Sequence, residues 1–136
     1  MYNSDMSYDN LPAELLEKHF EALRLEEPLY IKNENDLFIE RMKEAKSAII
    51  YLPKSKSLID MALALVSGMV EKGGKIILAG SNNAGIRSAK VAYEKNIGPV
   101  EEKIVGNHSA LYVGKNERLG AEKKISDFLT FSPLTY

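Results

Sequence analysis

The chain contains no cysteine, which removes disulfides, thiolate metal ligands and thiol nucleophiles together. Histidine is scarce as well. His19 lies among Glu17, Lys18 and Glu21, His108 lies in a polar loop, and neither has a partner at metal-ligand spacing, so both read as exposed structural histidines. There is no G-x-S-x-G elbow, and a nucleophilic serine triad has no support. The longest apolar stretch, Leu58 to Val70, is interrupted by Asp60 and Ser67 and is too short to cross a bilayer. Met1 to Asn10 is polar, with Asp5 and Asp9 and no basic segment leading into an apolar one, so it does not read as a secretory signal. A cytoplasmic protein without membrane contact is expected.

What is present describes one compact domain: 136 residues, 45% hydrophobic and 27% charged. The net charge of −1 conceals an asymmetry. Residues 1–40 carry ten acids and three Lys/Arg, whereas residues 41–136 carry nine and fifteen, so the chain runs from −7 to +6. Such a basic portion can face a polyanion, or the two halves can simply attract each other across a solvated surface. Few aromatics interleave the basic residues, which argues against a platform for stacking single-stranded bases. The neighbouring acids Glu26/Glu27 and Glu101/Glu102 read as solvated surface rather than catalytic pairs.

Periodicity gives the order of elements. Asn10 as N-cap and Pro12 in the first turn predict a helix to about Arg24, with Leu16, Phe20 and Leu23 on one face. Leu29 to Lys32 reads as a short strand, and Asn33 or Asn35 starts a helix through Lys46 that buries Phe38, Met42 and Ala45. Ala48 to Leu52 is a nearly continuous apolar run, as in a strand buried on both faces. After Pro53, a helix capped by Ser55 or Ser57 is predicted to run to Lys72 and to end at Gly73-Gly74. Lys75 to Ala79 is the next strand and Ile86 to Asn96 the next helix. Glu101 to Val105 and Ala110 to Val113 then form a hairpin around Gly106-Asn107-His108-Ser109. The expected fold is a small Rossmann-like α/β domain, its sheet mostly parallel with a C-terminal antiparallel hairpin and its helices on both faces.

The segment Gly80-Ser81-Asn82-Asn83-Ala84-Gly85-Ile86-Arg87-Ser88 sits where open α/β sheets usually bind ligands. It does not grip phosphate as a P-loop would, because Ile86 and Arg87 replace the required Lys-[Ser/Thr], and the middle glycine of G-x-G-x-x-G is absent. Gly80 and Gly85 read instead as a tight turn and a close helix–strand approach. Lys54 and Lys56 follow one strand while Asn82, Asn83 and Arg87 follow the next, so these groups are candidates to converge on a phosphate or a base edge. Arg87 is equally suited to fork onto a carboxylate within the domain.

Tyr51-Leu52-Pro53-Lys54-Ser55-Lys56, Gly80 to Ala89 and Ala110-Leu111-Tyr112-Val113-Gly114-Lys115 resemble, in the same order, motifs of the amino-terminal domain of bacterial ribosomal RNA guanine-N2 methyltransferases that act on 16S rRNA. Leu11-Pro12-Ala13 also resembles a segment of that family, and the likeness spans about Leu11 to Lys115. The resemblance implies a methyltransferase-type sheet in a degenerate domain that helps hold RNA. It further implies a second domain that binds S-adenosylmethionine and carries an Asn-Pro-Pro-aromatic catalytic motif, which this sequence lacks. Residues 1–120 are then expected to form the degenerate domain, and 121–136 a tail toward the catalytic domain. The expected role is non-catalytic, with no cofactor held by this chain and S-adenosylmethionine held by the parent enzyme. The expected partners are ribosomal RNA, contacted by Lys54, Lys56, Asn82, Asn83 and Arg87, and either a catalytic domain or a second copy covering an apolar surface. The competing expectation is a stand-alone Rossmann-like module that binds a nucleotide or cofactor itself.

Overall fold

A computed structural model describes residues 4–32, 36, 45–53, 56–82, 85–106 and 108–120, with side chains from Pro12 onward apart from Lys56. The described elements are α1 (Ser4–Leu23), β1 (Leu29–Ile31), β2 (Ala45–Tyr51), α2 (Lys56–Met69), β3 (Val70–Ser81), α3 (Ile86–Asn96), β4 (Glu102–Gly106) and β5 (Ser109–Lys115). The strands form one sheet in the order β1-β2-β3-β5-β4. β1, β2 and β3 are parallel, while β5 runs antiparallel to both β3 and β4. The expected mixed α/β sheet is therefore present. None of the described helices is long and apolar enough to cross a membrane.

Alternation along the strands builds two cores. Ala48, Ile50, Ile76, Leu78, Ala110 and Tyr112 face one side, where they meet Ile59, Ala62, Leu63 and Val66 of α2 and Ile86, Ala89 and Tyr93 of α3. Ile49, Ile77, Ala79, Leu111 and Val113 face the other, under Leu15, Leu16 and Leu23 of α1. The steps from β2 to β3 and from β3 to β4 advance in the same direction across the sheet. Right-handed crossovers must then place α2 and α3 on one face, and α1 is left to cover the other. α2 and α3 are also tied together where Asn96 Nδ2 donates to Asp60 Oδ1 at 3.0 Å.

Four boundaries differ from the periodicity reading. α1 begins at Ser4, and Pro12 lies inside it, where the helix continues after losing the one bond proline cannot donate. Ala45 and Lys46 belong to β2 rather than to a helix, because Ala45 and Ser47 turn inward while Lys46 points out beside Glu26. The predicted burial of Phe38 and Met42 falls outside the described residues. α2 ends at Met69, not Lys72, because Asn116 Nδ2 takes the carbonyls of Ser67 and Val70 at 2.9 and 2.7 Å and draws the chain into the long strand β3. The hairpin is tighter than expected, since Gly106 already pairs with Ser109.

Candidate nucleic-acid interface

The connection from β3 to α3 is shaped by its glycines. A side chain on Gly80 would meet Leu52 Cβ and Ile86 Cδ1, both at 3.0 Å, so Gly80 lets β3, the end of β2 and the start of α3 pack closely. Gly85 has φ +84°, a left-handed conformation that glycine adopts without cost, and from there α3 begins. The Ser88 hydroxyl then donates back to the Gly85 carbonyl at 2.9 Å. These contacts bear out the turn-and-packing reading of both glycines.

Among the described residues, a backbone bond joins the loop to the far hairpin. Asn82 N–H donates to the His108 carbonyl at 2.8 Å, and His108 itself holds φ +58°. Between the two lies an open depression of about 270 Å³, lined by Asn82, Arg87, Lys103, Val105, His108 and the small residues beside them. Asn82, Arg87, Lys103 and His108 are exposed there, and no carboxylate is among the residues that line it. Tyr112 lies close by. Its ring centroid is 5.8 Å from Lys103 Nζ, within range of a cation–π contact. Burial pushes the Tyr112 phenol above its ordinary value, while the Arg87 guanidinium pulls it the other way. Both cations thus bear on one aromatic side chain.

The structure brings Asn82 and Arg87 together at the carboxyl end of β3. Lys54 and Asn83 lie outside the described residues, as does the side chain of Lys56, whose backbone opens α2. The carboxyl ends of β2 and β3 are adjacent, with Leu52 N–H bonded to the Ala79 carbonyl at 2.8 Å. Among the described residues, however, the depression opens toward the hairpin. The carboxylate partner considered for Arg87 is not found among the described residues, whose ion pair is the exposed Lys46–Glu26 contact at 3.4 Å. Sequence reasoning missed Lys103 and set His108 aside. Strand alternation carried the signal for Lys103, which pairs with Tyr112 and shares a sheet face with Val105.

A family model described as the N-terminal region of the methyltransferase small domain matches residues 11–131. The chain belongs to this methyltransferase small-domain N-terminal family. Within curated proteins, it is 30% identical over 92 residues to the ribosomal RNA small subunit methyltransferase C of Marinomonas sp., which covers 68% of this chain and 26% of that protein. The protein of the same name from Shewanella denitrificans is 30% identical over 89 residues, covering 65% of the chain and 26% of the relative. The matched region thus spans about a quarter of each relative's length.

Proposed function

We propose that this domain is the non-catalytic accessory part of a cytoplasmic ribosomal RNA guanine-N2 methyltransferase, holding the RNA substrate and supporting the catalytic domain. One observation carries the reading: a member of this family presents Arg87 and Asn82 in an open depression with no carboxylate among its described lining residues, at the carboxyl end of a core strand. An exposed guanidinium with no acidic partner among the described residues suits bidentate contact with phosphate. Lys54, Lys56 and Asn83 are proposed to extend the contact along the adjacent loop. The methyl donor, S-adenosylmethionine, belongs to the catalytic domain. The loop sequence after β3, which lacks the Gly-x-Gly approach, and the close packing of Leu52 and Ile86 beside Gly80 support this assignment.

Binding of a small-subunit rRNA fragment, followed against salt concentration, tests the reading. Arg87→Ala and the Lys54→Ala/Lys56→Ala pair should each weaken binding, and the salt slope should fall by roughly 0.7 to 0.9 for every phosphate that is no longer neutralised. Loss of stability on Arg87→Ala with unchanged RNA affinity would assign Arg87 to an internal partner. An unchanged slope in both variants would overturn the role of the basic cluster.

A further inference from the structure

The depression has a second wall that the family reading does not supply. Arg87 enters it from α3, but Lys103 and His108 enter from the β4–β5 hairpin, and Val105 stands between them with 65% of its surface exposed. Two features fix this hairpin wall against the loop. The Asn82–His108 backbone bond joins their tips, and the pairing of Lys103 with Tyr112 and of Val105 with Ala110 sets both side chains on the face that α3 covers. Two cationic side chains, Arg87 and Lys103, meet around one concavity beside the imidazole of His108, and no acid among its described lining residues offsets them. A concave cationic surface focuses potential and favours an anion.

We propose that Arg87, Lys103 and His108 together form a site for one phosphodiester of an RNA strand, with the β4–β5 hairpin as its second wall. Asn82 offers amide donors and an acceptor beside it. The exposed Val105 methyls give the adjoining ribose an apolar seat. At about 270 Å³ the depression suits a single backbone unit rather than the face of a duplex. This inference rests on the RNA-binding reading above and adds to it the residues that no strand-end motif contains.

The test compares binding of a single-stranded RNA oligonucleotide by the wild-type chain, Lys103→Ala, His108→Asn and Lys103→Arg across a salt series. Asparagine is chosen at position 108 because it tolerates the left-handed backbone, so the hairpin is retained while the imidazole is removed. Thermal melting of each variant verifies the fold. Lys103→Ala is expected to reduce the salt slope by roughly 0.7. Lys103→Arg should preserve it, and His108→Asn should weaken binding. If the wild type binds RNA and both Lys103→Ala and His108→Asn bind with the same affinity and slope, the hairpin wall is refuted while the accessory-domain reading stands. Absence of any RNA binding by the wild type would overturn both. Titration with guanosine monophosphate separates the two sources of phosphate, since binding as tight as that of the oligonucleotide would refute a polymeric ligand.

Discussion

Asn116, which the sequence did not single out, ties the end of α2 to the start of β3. It is 1% exposed and fully used: its N–H donates to the Gly74 carbonyl and its carbonyl accepts from Gly73, both at 2.8 Å. Its amide takes the carbonyls of Ser67 and Val70, and its Oδ1 accepts from Arg118 N–H at 2.9 Å. The carbonyls at the end of a helix need partners when buried, and here one side chain serves that of Ser67 together with that of Val70, the first residue of β3. Asn116→Ala should therefore destabilise the domain by about 2–4 kcal/mol in urea denaturation, because buried acceptors lose their donors. Asn116→Asp keeps the acceptor for Arg118 but turns an oxygen toward two carbonyls, so it should be no more stable than alanine. An aspartate variant as stable as wild type would show that the two amide bonds contribute nothing. None of this was legible in Lys115-Asn116-Glu117-Arg118, which reads as a polar turn, because the partners lie 49 and 46 residues away. A cap formed across the domain leaves no local pattern.

Among the elements, α3 shows how a helix is locked to the sheet it crosses. Tyr93 is fully buried, and its hydroxyl donates to the Ile76 carbonyl at 2.6 Å. Its oxygen also lies 2.8 Å from where a side chain on Gly114 would begin, which explains why the residue after Val113 carries none. Burial first, and then the nearby negative charge of Glu101, push the Tyr93 phenol far above its ordinary value of 10.0. Burial raises Tyr51 and Tyr112 as well. The unfolded chain therefore releases these protons at a pH where the folded chain retains them. Their contribution is complete below about pH 10 and declines as the pH rises past it. Tyr93→Phe should cost about 1 kcal/mol at neutral pH. Above pH 10 it should make the fall in stability shallower by about 1.4 kcal/mol per pH unit. Parallel alkaline slopes for the variant and the wild type would show that Tyr93 ionises equally in both states. The strand–helix–strand order was readable here because Ile76 to Ala79 and the apolar positions of α3 follow their own periods. The end of α2 was not, since Met69 and Val70 continue the helical pattern and a distant asparagine stops it.

For the molecule as a whole, the direction of winding bears on what it binds. Ligands in open α/β sheets usually occupy the crevice where strand order reverses. Among the described strands the crossovers advance one way only, from β1 through β2 and β3 to β4, with β5 inserted antiparallel. That arrangement sends α2 and α3 to the same face. The carboxyl end of β3 is occupied in a different way: Gly80 is closed over by Leu52 and Ile86, and Arg87 and Lys103 border the open space beside Asn82. An adenosine cofactor held by its ribose needs a carboxylate there, and none is among the described residues lining the depression. The motif order of the sequence anticipated this architecture and placed Arg87 at the strand end. It did not anticipate the hairpin's part, because the approach of His108 to Asn82 depends on β5 lying between β3 and β4. The expectation that follows is that the chain binds RNA but not S-adenosylmethionine. Titration calorimetry with the cofactor should give no heat beyond dilution, under conditions where the same preparation binds an RNA oligonucleotide. Micromolar cofactor binding would overturn the accessory reading and restore a catalytic or cofactor-sensing one, because a ligand of that affinity requires a formed pocket worth about 8 kcal/mol.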